Sequence, residues 1–521
     1  MTHPPASTQS ADPQKVSQRT PSRAAIDCID WLRDYAEVRI NSRLIDERRC
    51  ISPHILLDFG NRGLLGMQVP ETLGGKLGLT LFDTLKIQRQ LGAIDLTLAF
   101  FVGSNNALGI RPILEFGDSA LKRNILPDLA AGRTIAAFGL TEPGAGSNPL
   151  DIQSTAQSGQ GRFILNGHKL WSGNAAWAGV FNVFARQTSV SGKQVGHVAL
   201  CVPADSAGIR VGAEALTMGL RGMVQNEVFY DGVQVDSARL LGEPGGGLAV
   251  ASDAMMVGRL GIGAACVGAM WRALQIAGRY SQRRRIGGTA LIESDLTRAR
   301  LGSMYAAVHT VDRFVDRLAA DVDSGIPVPP EAYAAVKIVS SEWLWETVDQ
   351  AIQLLGGRGY VETNCLPQML RDARITRLFE GPTDTLQRYI GRRVLDPDAA
   401  LFHYLSGHLQ SPQLAAALQD CLEPLRQVAQ LGDATAHAVH AVAGELAALH
   451  LARAFVAESS CAEWLDARIA RTVGGALQTG QPNVGQVERW LESVAARIGD
   501  VEQGAPDEDR LLDSYLGRSP R

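Results

Sequence analysis

The pattern of apolar and polar positions divides this chain into regions of helical and of strand character. Residues 24–135 carry apolar residues at helical spacing, with breaks at 60–63, 70 and 74–75. A second helical region follows the glycines at 245–247. Its joints, rich in Pro and Gly, predict four long helices at 248–283, 290–323, 330–355 and 366–378. Four helices of this length with short connections predict an antiparallel bundle.

Between the two helical regions, short runs of β-forming residues alternate with Gly, Asn, Asp and Pro. The clearest runs are 163–165, 180–184, 197–202 and 227–230, and they predict a compact antiparallel domain. The last stretch, 397–521, is rich in Ala and Leu at helical spacing and predicts an additional helical module.

The predicted fold class is therefore α+β. The expected order is a disordered arm (1–23), an N-terminal helical domain (24–135), a middle antiparallel β domain (136–242), a C-terminal four-helix bundle (243–396) and the additional helical module (397–521).

Composition sets the class of protein. Hydrophobic residues make up 45% of the 521 residues and charged residues 20%, and the net charge is -4, as in ordinary globular proteins. The mixed charges lack the basic footprint of a nucleic-acid-binding protein. The seven cysteines are scattered without a C-x-x-C pair, so we expect a reducing compartment and no metal site.

The sequence shows neither a signal peptide nor an uninterrupted membrane span. The first 23 residues contain no apolar segment of the kind a signal peptide needs, and Arg259 and Arg272 interrupt the longest apolar stretch, about 255–278. We expect a soluble, cytoplasmic protein of bacterial type, with the mitochondrial matrix as the less favoured location and membrane contact at most peripheral.

Glu380 is the first candidate for chemistry. It follows Phe379 at the end of a basic run and precedes Gly381 and Pro382. Such a turn can hold a carboxylate at the rim of an apolar pocket, where desolvation raises its pKa and makes it a useful base. An ordinary surface glutamate in a turn is the alternative that this segment alone leaves open.

Two segments of the β region are candidates for ligand binding, and the first suits a polar, electron-rich ligand edge. In 136–148 a strand runs into a Gly-rich turn that exposes backbone N–H groups beside small hydroxyls. In 165–174 the large aromatic Trp171 precedes small polar residues. Alone, the first is also typical of a plain β-turn and the second of a core tryptophan.

Taken in order, these and further segments resemble the acyl-CoA dehydrogenase family. The matching segments are Leu140-Thr141-Glu142-Pro143 with Gly146-Ser147, Gly167-His168-Lys169-Leu170-Trp171, Met218-Gly219-Leu220-Arg221-Gly222, Phe229–Val235, Leu240-Leu241-Gly242-Glu243, Tyr280–Arg284, Gln353–Tyr360 and Arg371–Thr383. The resemblance covers about residues 30–392. The C-terminal extension is most similar to the very-long-chain branch.

The resemblance implies FAD bound between the β domain and the bundle. The implied FAD contacts are Phe138, Leu140, Thr141, Gly146, Ser147, Trp171, Ser172 and Thr383, with Arg284, Gln353 and Gly357 reaching the FAD of a neighbouring subunit. The protein is then expected to be a homodimer or homotetramer.

The resemblance also implies the reaction. Glu380 would remove the α-proton of an acyl thioester while the β-hydrogen leaves as hydride to flavin N5, giving a trans-2-enoyl thioester. Ser147, Arg259 and Gly381 would contact the substrate, an acyl-CoA or an acyl group on a carrier protein. Electron-transfer flavoprotein or another acceptor would take the electrons.

The chain departs from the family pattern at several positions. Gly173 removes a hydroxyl expected after the tryptophan, for which Ser172 is a possible substitute. Ile286 and Gly287 replace expected cross-subunit FAD contacts, Met256 replaces an Asp directed to CoA, and Pro382 adds a residue without an N–H. These departures indicate an unusual acyl group or carrier.

Two other functions stay open from the sequence. One is a flavin oxidase or monooxygenase of the same fold, and Glu380 argues against it because those relatives commonly lack or change the base. The other is a non-catalytic assembly protein, and Glu380 together with the Thr141 region argues against it.

Overall fold

The computed structural model describes residues 19–429, 433–457, 459–475 and 483–499. Most of the predicted arm (1–23) and part of the predicted C-terminal module (397–521) lie outside these residues. The elements follow the expected order of helices, β domain, bundle and further helices, which confirms the α+β fold class.

The N-terminal helices begin at side-chain caps and prolines. The hydroxyl of Ser22 accepts a hydrogen bond from the N–H of Ala25, Asp95 caps the fifth helix in the same way, and Pro53 opens the third. The helices are α1 (Arg23–Arg39), α2 (Ser42–Arg48), α3 (Pro53–Arg62), α4 (Leu81–Ile94), α5 (Leu96–Ser104), a π-helical turn (Asn105–Ile110), α6 (Arg111–Phe116) and α7 (Ser119–Ala130).

The β domain is one eight-stranded sheet that contains all four predicted runs. Its strands are β1 (Ile135–Gly139), β2 (Thr155–Gly159), β3 (Arg162–Gly173), β4 (Ala178–Thr188), β5 (Gln194–Pro203), β6 (Ile209–Glu214), β7 (Gln225–Asp236) and β8 (Leu240–Leu241). The order is β6-β7-β3-β2-β4-β5-β8, with β1 on β4. The pairs β1–β4 and β2–β4 are parallel and the others antiparallel, so the expected antiparallel domain contains two parallel pairings.

The bundle begins at Gly247, where the backbone of β5 leaves no room for a side chain: a Cβ there would lie 2.4 Å from the carbonyl carbon of Val198. Its helices are α8 (Gly247–Arg283), α9 (Asp295–Asp323), α10 (Pro330–Leu355), α11 (Gly357–Tyr360), α12 (Cys365–Thr376) and α13 (Thr383–Val394). The predicted start of the second helix, at 290, is wrong by five residues, because the helix begins at Asp295. Before it, the strand Thr289–Ala290 pairs with Arg285–Ile286, and a short 3-10 turn follows that strand.

The C-terminal helices are α14 (Ala400–His403), α15 (Pro412–Ala429), α16 (Asp433–Arg453), α17 (Ser459–Gly475) and α18 (Val484–Ile498). Close backbone approach lets α16 cross α13. A Cβ at Gly391 would lie 1.8 Å from the carbonyl oxygen of His440, and one at Gly444 would lie 1.9 Å from that of Gln387. Helix α18 belongs to a separate unit, Gly474–Arg521, and carries an exposed apolar stripe that includes Val484, Leu491 and Ile498.

A polar junction joins the first three domains. Asp372 of α12 accepts a hydrogen bond from the N–H of Leu220 in the β domain at 2.6 Å. Asp46 of α2 pairs with Arg371 of α12 at 2.5 Å and with Arg221 of the β domain at 3.5 Å. The second half of α12 and the loop before β7 are therefore fixed to each other and to the N-terminal domain.

Among the helices of the described residues, α8 has the length and composition of a membrane span. Of its most apolar window, 67% is buried inside the protein. That burial is typical of the core helix of a bundle.

Candidate functional site

The turn after α12 directs Glu380 away from the helix. Glu380 has φ +52° and Gly381 has φ +100°, so two successive residues lie in the left-handed region. They are followed by Pro382, the N-cap of α13. A left-handed conformation is strained for glutamate and persists where surrounding contacts hold it. Phe379 stabilises the turn from one side, with its ring edge-on to Phe100 of α5 at 5.2 Å.

Two cations from the bundle hold the carbonyl groups of this turn. The Nε of Arg259 on α8 donates a hydrogen bond to the carbonyl oxygen of Glu380 at 3.1 Å. The Nζ of Lys337 on α10 donates to the carbonyl oxygen of Gly381 at 2.6 Å. Arg259 was predicted to bind substrate; its Nε is occupied by the turn, and its contact with substrate stays a prediction.

The Glu380 carboxylate is placed as a desolvated base. Its Oε2 atom is buried and has no hydrogen-bond partner among the described residues. Burial raises the pKa of Glu380, although the charges of Arg259 and Lys337 act to lower it. Oε2 lies 4.0 Å from the position a Cβ would take on Gly258 of α8, and the side chain of Leu108 lies 3.5 Å from the same position. An acid in such surroundings is suited to proton abstraction.

Free backbone donors lie beside this carboxylate. Within the described part of the chain, no hydrogen bond uses the N–H of Glu380 or of Gly381, and Pro382 has no N–H. Both N–H groups are thus available to a ligand carbonyl in the turn.

A buried ion pair fixes the predicted flavin-binding segment of the β domain. Lys169 of β3 is fully buried, and its Nζ donates to Glu142 at 2.6 Å and to the carbonyl oxygens of Phe184 at 2.6 Å and Leu140 at 3.2 Å. The N–H of Leu170 donates to the carbonyl oxygen of Thr141 at 2.9 Å. Leu140 and Thr141, at the end of β1, are therefore held to β3.

Trp171 is presented to the surface at the end of the same strand. Its side chain is 61% exposed, its φ is +48°, and the pairing of β3 with β7 is irregular between Lys169 and Ser172. An exposed tryptophan on a strained backbone suits a platform for a planar ligand. Ser172 is buried, and its Oγ has no partner among the described residues, so its predicted flavin contact stays a prediction.

The segments from the two domains meet at one interface. Phe138 of β1 is paired with Asn182 of β4, whose amide donates to the carbonyl oxygen of Leu108 at 2.9 Å. The side chain of Leu108 in turn lies beside Gly258, next to Glu380. On the other side, the hydroxyls of Ser147 and Thr385 lie 3.5 Å apart.

Thr383 is already engaged within the bundle. Its hydroxyl donates to Glu342 at 2.6 Å, and Arg377 pairs with the same carboxylate at 2.7 Å. Gly144 and Gly146 of the β-domain turn have no atom within 4 Å of a Cβ position, so their surface is open to a ligand. The flavin contacts predicted for Thr383 and Gly146 stay predictions.

Comparison with known proteins shows which family this chain is similar to. Family models of the acyl-CoA dehydrogenase N-terminal, middle and C-terminal domains match residues 26–133, 137–233 and 245–395. Together these models match more than half of the chain, in the same order as the domains of the structure.

The chain belongs to the acyl-CoA dehydrogenase family.

Among curated relatives, the bovine (Bos taurus) mitochondrial very long-chain specific acyl-CoA dehydrogenase is 35% identical over 335 residues, which cover 63% of this chain and 51% of the relative. The human (Homo sapiens) short-chain specific enzyme is 31% identical over 360 residues, covering 69% and 86%. The chain thus spans about half the length of the very-long-chain relatives that it matches.

Solved structures agree in fold. Butyryl-CoA dehydrogenase from Megasphaera elsdenii has 26% identity and a TM-score of 0.69 over 73% of this chain and 100% of its own. A prolyl acyl carrier protein oxidase has 25% identity and a TM-score of 0.68 over 72% of this chain and 100% of its own.

The structure gives local reasons for two departures from the acyl-CoA dehydrogenase pattern. A Cβ at Gly173 would lie 2.8 Å from the terminal methyl of Met223 and 3.4 Å from the amide of Gln225, so these side chains fill the place of the absent hydroxyl. Gly287 has φ +58° in the turn between the strands Arg285–Ile286 and Thr289–Ala290, a conformation that favours glycine.

The three residues predicted to reach a neighbouring subunit's FAD lie together. Arg284, Gln353 and Gly357 line one cleft of about 560 Å³ between the ends of α8 and α10. Ile286 lines the same cleft, together with Arg300 and Arg358, and none of the described residues that line it is acidic; Asp349 lines the adjoining cleft beside Arg300 and Gln353. From Gly258 to Arg284 the chain advances 26 positions along α8 and its C-cap, about 39 Å, so this cleft lies far from Glu380 of its own subunit.

Several residues of the candidate site were missed from the sequence. Arg300 was given no role, because a separated arginine on a helix is usually solvated. Arg358 was noted only as part of the family segment Gln353–Tyr360. Lys337 did give a signal in the sequence: it is a single charge within the apolar run 332–339, where an unpaired lysine is rare. Lys169 and Glu142 were noted only as members of family segments. Their pairing could not be predicted because it depends on the sheet register.

Proposed function

We propose that this protein is an FAD-dependent dehydrogenase that introduces a trans double bond between the α- and β-carbons of an acyl thioester. The observation that carries this proposal is the Glu380 carboxylate: its Oε2 atom is buried and has no hydrogen-bond partner among the described residues, and desolvation raises its pKa. It lies at the interface that also brings together the Phe138 strand and the Ser147 turn.

The residues present fit FAD. Trp171 offers an exposed aromatic face, Gly144 and Gly146 leave room for close approach, and the β1 end is held rigid by Lys169 and Glu142. When bound, FAD would supply the acceptor for the hydride that leaves the β-carbon.

The chain itself supplies the proton chemistry. The free N–H groups of Glu380 and Gly381 can bind the thioester carbonyl oxygen and stabilise the negative charge that develops on it. This makes the α-proton more acidic, and Glu380 takes it at its carboxylate. Leu108 and Phe379 keep the space apolar, so the raised pKa of the base persists in the complex.

The arginine-lined cleft supports a homo-oligomeric enzyme. Arg284, Arg300 and Arg358 face one cleft without a carboxylate, which suits the diphosphate of a dinucleotide. Because about 39 Å of helix separates the cleft from Glu380 of the same subunit, we assign it to the FAD bound at the partner's Trp171 face.

The decisive experiment uses the purified flavoprotein. Anaerobic addition of acyl-CoA thioesters of graded chain length should bleach the flavin absorbance of the wild type. Glu380→Gln should retain the FAD content and lose reduction by at least about 10²-fold, the usual contribution of a general base. Glu71→Gln, at an exposed position, is the matched control and should reduce normally. Retained turnover in Glu380→Gln would reject the assignment of the base.

The acyl carrier and the electron acceptor are separate questions. The similarity to a prolyl acyl carrier protein oxidase favours an oxidase acting on a carrier-protein thioester as a second candidate. Rapid reoxidation of the reduced flavin by air with stoichiometric peroxide would support the oxidase. Reoxidation only by electron-transfer flavoprotein or an artificial acceptor would support the dehydrogenase.

A further inference from the structure

The catalytic turn is held at two successive carbonyl groups, and the second contact comes from a residue that no family motif identified. Arg259 holds the Glu380 carbonyl, and Lys337 holds the Gly381 carbonyl at 2.6 Å. Because both residues of the turn have positive φ, the turn needs such contacts to keep Glu380 directed into the site.

Lys337 is an unusual residue for the interior of a helix bundle. Its side chain is 0% exposed, and no carboxylate forms an ion pair with it among the described residues. An ammonium group without an ion pair is costly to bury. Burial, together with the nearby charge of Arg259, lowers the pKa of Lys337 to about 7.

The charged and titratable groups facing this lysine are few. They are Arg259 and Cys266 of α8, Glu342 on its own helix and Glu380. Glu342 is engaged by Arg377 and Thr383. The Glu380 carboxylate is therefore the anion that the Lys337 charge stabilises.

We propose that Lys337 is a positioning residue for the base: its ammonium holds the Gly381 carbonyl, and its charge favours the carboxylate form of Glu380. This inference rests on the proposed role of Glu380. Loss of the charge leaves desolvation of Glu380 less opposed, so its protonated form should persist to higher pH.

The test measures the ionisation of Glu380 without requiring turnover. In pH-difference infrared spectra of the holoenzyme, the carbonyl stretch of the buried Glu380 acid is identified by its absence in Glu380→Gln. Its midpoint in Lys337→Met should lie at least about one pH unit above that of the wild type. Lys337→Gln, which keeps an N–H donor but no charge, should show the same shift. Lys86→Met, which removes a half-buried lysine paired with Asp316, is the control and should leave the midpoint unchanged.

The kinetic experiment separates this inference from the proposed function. In the pH profile of the rate of anaerobic flavin reduction, the acidic limb should move to higher pH in both Lys337 variants. At a pH high enough that this rate no longer rises, Lys337→Gln, which keeps an N–H donor, should reduce flavin faster than Lys337→Met. Equal infrared midpoints in wild type and Lys337→Met would overturn the role of Lys337. If no thioester reduces the wild-type flavin, the proposed dehydrogenation fails, and the infrared midpoints still decide the role of Lys337.

Discussion

Glu380 could be singled out from the sequence as a candidate because its neighbours are distinctive: a basic run, an aromatic residue, then Gly and Pro. The other family segments, in the expected order, then favoured a base over a surface glutamate. The contacts around Glu380 could not be predicted. Arg259 reaches it from 121 residues away, and Lys337 reaches Gly381 from 44 residues away. A lysine at helical spacing is usually solvated, so only three-dimensional packing shows that this one is buried.

At this scale the pair Lys169–Glu142 yields a prediction about stability. Burial acts to raise the pKa of Glu142, but the charge and hydrogen bond of Lys169 and the N–H groups of Gln153 and Ser154 outweigh it, so the pKa is lowered. A carboxyl with a depressed folded pKa contributes stability above its unfolded pKa, and the contribution is lost as pH falls through the folded value.

Lys169→Met should therefore destabilise the protein by about 3–5 kcal/mol at neutral pH, because it leaves a buried carboxylate unpaired. The loss should shrink at an acidic pH low enough to protonate Glu142 of the variant. Urea unfolding at the two pH values measures both effects, with Lys86→Met as control. An equal loss at both pH values would contradict the ion-pair explanation.

At the scale of elements, the sequence predicted which segments form helices and which form strands. It did not predict how closely these elements approach each other. The runs 163–165 and 227–230 fell in β3 and β7, because alternating apolar residues specify strands. The same alternation does not specify strand direction, so the parallel pairing of β1 with β4 was not expected. The crossing of α13 and α16 depends on Gly391 and Gly444, which the sequence presents as ordinary helix glycines.

That crossing can be tested with one methyl group. Gly391→Ala would place its Cβ 1.8 Å from the carbonyl oxygen of His440, forcing the helices apart. We expect a loss of about 1–3 kcal/mol in the free energy of unfolding. Gly278→Ala, in α8 with no atom within 4 Å of its Cβ, is the matched control and should stabilise by about 0.5–1 kcal/mol. Equal melting temperatures for the two variants would show that α16 yields without cost.

At the scale of the whole molecule, the order of domains followed from the sequence because each domain has its own hydrophobic period. Residues 397–475 were predicted only as helices. Their packing on the bundle includes Trp464 edge-on to Trp343 at 4.9 Å and Phe455 stacked on Phe314 at 4.6 Å. Such contacts between distant aromatic residues leave no periodic signal.

The proposed assembly of each FAD site from two subunits predicts complementation. Glu380→Gln and Arg284→Gln homo-oligomers should each fail to reduce flavin, the first through loss of the base and the second through loss of FAD. In a mixed dimer, one site combines Glu380 of one subunit with Arg284 of the other and is intact. Co-expression with different affinity tags should restore bleaching at that site. A mixed dimer without activity would show that Arg284 does not contribute to the partner's flavin site.

The two hydrogen bonds that hold the turn at Glu380 and Gly381 also order events in folding. They join residues 121 and 44 positions apart: the first requires α8, and the second α10, to dock beside the turn that follows α12. Contacts of such high sequence separation form late, since chain closure must precede them. The strained Glu380 conformation therefore arises only after the bundle has closed. A partly folded subunit would carry a relaxed, hydrated glutamate at position 380, so recovery of catalysis during refolding should lag behind recovery of helix content.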